Sequence, residues 1–163
     1  MGDHAETVQI DYDPTRISYR DLLDIFWQSH HPTRRPWSRQ YASIVFFHNE
    51  EQERLAMETR DREEKRRGTK IHTEILPYSR FHLAEAYHQK YRLQQERELM
   101  REFALIYPDS LKFVNSTATA RVNGYLSGYG TRESLGRELP TLGLSAEAQR
   151  TLGKGVLSSG EGG

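Results

Sequence analysis

Three strand-length segments of alternating pattern, set apart by two longer segments of helical pattern, dominate the first half of the chain and limit the folds open to it. In "GDHAETVQIDYDP", Val8, Ile10 and Tyr12 fall on one face and Thr7, Gln9 and Asp11 on the other. In "QYASIVFFH", Tyr41, Ser43, Val45 and Phe47 share one face, and Ala42, Ile44, Phe46 and His48 the other. Both faces are mostly apolar, which is the mark of a strand placed centrally in a covered sheet. "KIHTEILP" sets Ile71, Thr73 and Ile75 on a common face. Between these lie two helical segments. "YRDLLDIFWQSH" has a broad apolar face of Leu22, Leu23, Ile25 and Phe26 with Trp27 at its margin, and "NEEQERLAMETRDREEKRR" is long and very polar.

The punctuation agrees with this division. Ser18 followed by Asp21 forms a capping-box pattern, Asn49 with Gln52 forms a second cap, and Gly68 ends the polar helix. Two prolines in "HHPTRRPW" break the first helix. "AEAYHQKYRLQQERELMREFALIY" reads as largely helical, and from Pro108 the texture becomes one of short helices. Ser116 or Thr117 starts one, Gly128 and Gly130 end it, and Thr131 and Ser145 start others. Residues 1–93 are therefore expected to be an α/β core, 94–157 a small helical appendage, and 158–163 a disordered tail.

Composition excludes several classes. Lysine plus arginine equals aspartate plus glutamate at 23 each, so there is no global charge to draw the chain to nucleic acid or an anionic membrane. No apolar run approaches the ~20 residues of a bilayer span, and the N-terminus has no targeting pattern. The cytoplasm is the default compartment, organelle targeting staying open should an N-terminal segment be missing. There is no cysteine, which removes disulfides, thiolate metal ligands and thiol nucleophiles from this chain. His30–His31 and His82 with His88 are the histidine clusters, and neither has metal-site spacing. "RDREEKRR" is a solvated helix face, "RRPW" is a short basic patch on a neutral chain, and "GYLSGYG" has the glycines of a helix end. Glu6 stands out because it falls on the apolar face of the first alternating segment. Read alone, it is a strand-end acid that reaches solvent, as Tyr41 read alone is an ordinary sheet tyrosine.

The segments "GDHAETVQIDYDP", "ISYRDLLDIFWQSHHPT", "SRQYASIVFFHNEEQERLA" and "IHTEILPYSRFHLAEAYHQKY", in this order, resemble the A-type methionine sulfoxide reductases, the peptide-methionine (S)-S-oxide reductases, over about residues 2–91. The later "FVNSTATARVNGYLSGYGT" is similar to an extension found on a subset of that family. The resemblance implies an α+β fold, a mixed sheet flanked by helices in a ferredoxin-like core, here incomplete. It implies a reaction in which a cysteine in a G-C-F-W-G turn attacks the sulfoxide sulfur. A glutamic acid protonates the oxygen, and the resulting sulfenic acid is reset by thioredoxin or another thiol reductant. No bound cofactor is implied.

Carried over residue by residue, Glu6 matches the proton donor, and burial on an apolar face would keep its carboxyl protonated near neutrality. Tyr41 matches a tyrosine that hydrogen-bonds the sulfoxide oxygen. His88 and Tyr91 match the end of the last motif, with supporting roles behind the reacting groups.

The departures are specific. The G-C-F-W-G turn and the family's N-terminal segment are absent, and Met1 stands before "GDHAE" in the middle of a family element, as in an N-terminally truncated form. The family's aspartate five residues before Tyr41 is Pro36, its glycine and threonine between them are Ser38 and Arg39, and its H-D-P-T is His30, His31, Pro32, Thr33. Without a thiolate the chain is expected to be inactive alone. The family's substrates are methionine-sulfoxide-containing proteins or free methionine sulfoxide, and the chain is expected to be a monomer. The alternative is a non-catalytic module that binds a protein partner through its residual pocket or its helical appendage.

Overall fold

Helix caps written in the sequence open most of the elements found in the computed structural model, which describes residues 4–159. The chain divides into two compact units, Met1–His82 and Leu83–Gly163. In the first, α1 spans Tyr19–Gln28 and opens on the Ser18/Asp21 capping box. β1 spans Ile44–Phe47, α2 spans Glu50–Arg67 and β2 spans Glu74–Pro77. The Asn49 side chain caps α2, and Gly68 closes it in the left-handed region (φ 63°), where a side chain would be strained. β1 and β2 pair in parallel, Val45 opposite Ile75, with α2 as the crossover that a parallel pair requires. Leu23 and Trp27 of α1, Val45, Ala56 and Ile71 form the core of this unit.

The sheet is smaller than the alternation predicts. Among the described residues it has two strands, and residues 4–10 form no strand. Val8 and Ile10 are 81% and 60% exposed, so their apolar face has nothing to pack on. Alternation makes a segment able to join a sheet, but a strand exists only when a neighbour supplies the ladder. β1 is correspondingly not a covered central strand. Of its four residues only Val45 is buried. On β2, Glu74 faces β1 by donating its N–H to the Ser43 carbonyl (3.0 Å), which turns the backbone N–H and C=O groups of Thr73 and Ile75 to the outer edge.

The second unit is helical: α3 Tyr91–Gln94, α4 Arg97–Ile106, α5 Ser110–Asn115, α6 Thr117–Leu126, α7 Arg132–Glu138 and α8 Ala146–Ser159. Residues 83–93, expected with the α/β core, lie in this unit. Ser116 caps α6, Thr131 caps α7, and Ser145 accepts from the Ala148 N–H at the start of α8. Gly128 and Gly130 follow α6 at φ 84° and 90°. The segment read as largely helical is interrupted at Lys90, which takes a left-handed backbone (φ 51°). The Asn123 side chain then caps α3, accepting from the N–H groups of Arg92 (3.0 Å) and Leu93 (3.2 Å). Leu93, Leu99, Phe103, Val122, Leu135 and Leu152 lie in its core. The class is thus α+β. Ser158 and Ser159 of the expected disordered tail belong to α8, and residues 160–163 lie outside the described residues. Among the described residues no helix is long and apolar enough to cross a membrane.

Candidate functional site

Glu6 is tied to the loop before β1 by two hydrogen bonds. Its backbone N–H donates to the Gln40 carbonyl (3.0 Å), and the Gln40 side-chain amide donates to its carboxylate (2.8 Å). Gln40 belongs to a 3-10 turn, Arg39–Tyr41, whose last residue is Tyr41. The structure therefore attaches Glu6 to the residue next to Tyr41, although the two stand 35 positions apart in sequence. The Glu6 side chain is exposed, not buried as the resemblance implies, because the segment carrying it forms no strand.

The Tyr41 ring stacks on Trp37, centroids 4.7 Å apart and planes 27° from parallel. Both rings are open to solvent, Tyr41 at 48% and Trp37 at 79%. Arg39 in the same turn pairs with Glu74 of β2 at 2.6 Å, anchoring the turn to the sheet. The arrangement presents a carboxylate, an amide and a phenol along one short stretch. It holds groups able to donate to, or accept from, a small polar ligand, and it holds no nucleophilic thiol.

Behind this stretch lies a network that the sequence did not reveal. His30 follows α1, and its Nδ1 lies 2.7 Å from the Phe26 carbonyl. A carbonyl only accepts, so Nδ1 carries the proton and the neutral ring offers Nε2 as acceptor. The Ser43 hydroxyl, 2.8 Å away, donates to Nε2 and accepts from Thr73 Oγ1 at 3.0 Å. One directed chain thus ties the end of α1 to the residues before β1 and β2. Burial holds the His30 pKa below its ordinary value, opposed by the Phe26 hydrogen bond and helped by the charges of Arg67 and His31. The three residues are 13 and 30 positions apart in sequence, so no local motif signals them. Within the metal reading His30 was only half of a histidine pair; its ring is occupied by this network.

His88 and Tyr91 fall in the second unit. His88 ends a 3-10 turn, Ala86–His88, exposed, with its ring 4.2 Å from Tyr87 and its Nε2 3.9 Å from Glu85. Tyr91 opens α3 and is 57% exposed.

Comparison with known proteins gives the family. The family model for peptide methionine sulfoxide reductase matches residues 1–121. Among curated proteins, the chain is 44% identical over 148 residues to a peptide methionine sulfoxide reductase of Drosophila melanogaster, covering 89% of this chain and 58% of that protein. It is 45% identical over 93 residues to peptide methionine sulfoxide reductase A2 of Arabidopsis thaliana, 54% of this chain and 43% of that one. It is 44% identical over 95 residues to MsrA of Methanosarcina acetivorans, 54% and 50% respectively. The chain belongs to the peptide methionine sulfoxide reductase family. It spans about half the length of the curated relatives it matches. The fly match is long enough to reach well into the helical unit, whereas the plant and archaeal matches cover little more than half of the chain.

Proposed function

We propose that this chain carries the acid and oxygen-binding side of a site that reduces methionine-(S)-sulfoxide, free or in proteins, to methionine. A cysteine thiolate attacks the sulfoxide sulfur while the sulfoxide oxygen takes a proton from Glu6 and a hydrogen bond from the Tyr41 hydroxyl. The oxygen passes to the cysteine as a sulfenic acid and methionine leaves. Thioredoxin, or another thiol reductant, then returns the cysteine to its thiol with release of water. His88 and Tyr91 act in support, holding the last motif in place.

The observation that carries this reading is the attachment of Glu6 to the residue beside Tyr41, in a chain of this family. General-acid action by a carboxyl near neutrality requires its removal from water. The exposed Glu6 must therefore be covered by substrate or by further polypeptide before it can donate. No cysteine is present in the 163 residues, so this chain supplies no thiolate and, alone, turns over no sulfoxide. That same fact favours a second reading, a non-catalytic family member that binds a protein partner.

The test has two stages. The intact mass of the endogenous protein comes first. A mass above 19.0 kDa together with a reactive thiol supports the first reading, and a mass of 19.0 kDa supports the second. The full gene product is then assayed on N-acetyl-methionine-(S)-sulfoxide with dithiothreitol. Glu6→Gln should lower kcat by about 100-fold or more, with KM little changed. Undiminished turnover in that variant would refute the assignment of the acid.

A further inference from the structure

Two helical faces in the second unit enclose a groove that the reductase reading does not use. On one side Arg132, Leu135 and Leu139 stand at i, i+3 and i+7 along α7 and the turn that follows it. On the other, Arg150, Gly153 and Lys154 stand at i, i+3 and i+4 on α8. The groove between them measures about 390 Å³, within the range of small-ligand clefts.

Its floor is apolar, made by the buried Leu135 and the half-buried Leu139. The space beside its glycines is open: a Cβ on Gly153, or on Gly136 beside Leu135, would meet nothing within 4 Å. Its rim is wholly positive. Arg132, Arg150 and Lys154 are exposed, and among the described residues none of their side chains makes an ion pair or a hydrogen bond. Acids on α7 are engaged away from it. Glu133 pairs with Arg137 at 2.6 Å, and Glu138 accepts from the Tyr125 hydroxyl at 3.1 Å and faces Arg121 at 3.7 Å.

We propose that this groove docks an acidic peptide segment of a protein partner. One apolar side chain rests on Leu135 and Leu139, and flanking carboxylates meet Arg132, Arg150 and Lys154. Three cations on two walls, none with a counter-ion among the described residues, call for several negative charges projecting in different directions from one backbone. A fatty acid would satisfy one of them and would leave its tail in an open groove. A nucleic acid would find an apolar floor with no aromatic ring for a base to stack on. The proposal does not depend on the reductase reading.

The test uses the whole 163-residue chain and a fluorescein-labelled hexapeptide of two central leucines flanked by glutamates, read by fluorescence anisotropy. Binding is expected, weaker as salt rises, and reduced by about tenfold or more when Arg150→Glu and Lys154→Glu are combined. Arg101→Glu, exposed on α4, should leave it unchanged. The same hexapeptide with lysines for glutamates should bind the double variant and not the parent, a gain that misfolding cannot produce. Three results would overturn the proposal: no binding of the acidic peptide at millimolar concentration, equal binding by parent and double variant, or parent that ignores the peptide and sediments with phosphatidylserine vesicles.

Discussion

His30 has a partner on each ring nitrogen, and its environment penalises the protonated ring. Burial is the largest cause, and the nearby charges of Arg67 and His31 act in the same direction. Glu63, which pairs with Arg66 at 2.6 Å and Arg67 at 3.2 Å, faces this region from α2 and offsets part of that charge. The folded state therefore takes up a proton at His30 at lower pH than the unfolded chain, whose histidine titrates near its ordinary value. Between those two pKa values the unfolded state binds more protons, so stability rises with pH. The contribution is complete above about pH 6.5 and is lost as pH falls from there through the depressed folded pKa. Carboxyls held low by hydrogen bonds, Asp21 by Ser18 and Glu58 by Arg20 and Arg54, lose their contributions at more acid pH and do not confuse the window. The urea midpoint of the first unit, followed by fluorescence of the buried Trp27, should fall between about pH 7.5 and about pH 5.5. His30→Gln should flatten that dependence whatever it does to stability at neutral pH. An unchanged slope in the variant would place the titration elsewhere.

At the scale of elements, what the sequence made legible follows from the range of the forces involved. Caps act over three or four residues, so Ser18, Asn49, Gly68, Thr131 and Ser145 could be read directly and stand where the pattern puts them. The segment holding Glu6 has the alternation of a strand but no ladder, since a strand depends on a neighbour far off in sequence. The break at Lys90 was hidden for the same reason: the Asn123 cap on α3 comes from a helix 30 residues away. The polar α2 tests the local side of this contrast. It buries only Ala56, Thr59 and Glu63, so its ends carry an unusual share of its stability. Asn49→Ala removes the acceptor for the Gln52 N–H and should cost about 1 kcal/mol. Gly68→Ala meets no steric contact but forces a Cβ into the left-handed region, and should cost about 1 kcal/mol as well. Eighteen residues of helix separate the two ends by roughly 27 Å, so the double variant should lose the sum to within about 0.5 kcal/mol in urea denaturation. A marked departure from that sum would mean that α2 is held mainly by contacts shared between its ends.

At the scale of the whole molecule, the two units have unequal means of stability. The second has ten buried side chains in its core cluster, reaching from Leu93 on α3 to Leu152 on α8, with Phe103, Val122 and Tyr125 among them. The first has five, and its two-stranded sheet leaves Val8 and Ile10 in water and an outer edge without partners among the described residues. A two-stranded sheet depends on packing for its persistence, and a small core supplies little of it. The first unit should therefore melt before the second. Both tryptophans, Trp27 and Trp37, lie in the first unit, so tryptophan fluorescence reports on that unit alone. Far-UV circular dichroism reports on every helix, and most of the helices are in the second. Thermal unfolding of the intact chain should then show a fluorescence midpoint below the circular-dichroism midpoint, with helical signal surviving the loss of Trp27 burial. Coincident midpoints would mean that the units unfold as one cooperative body.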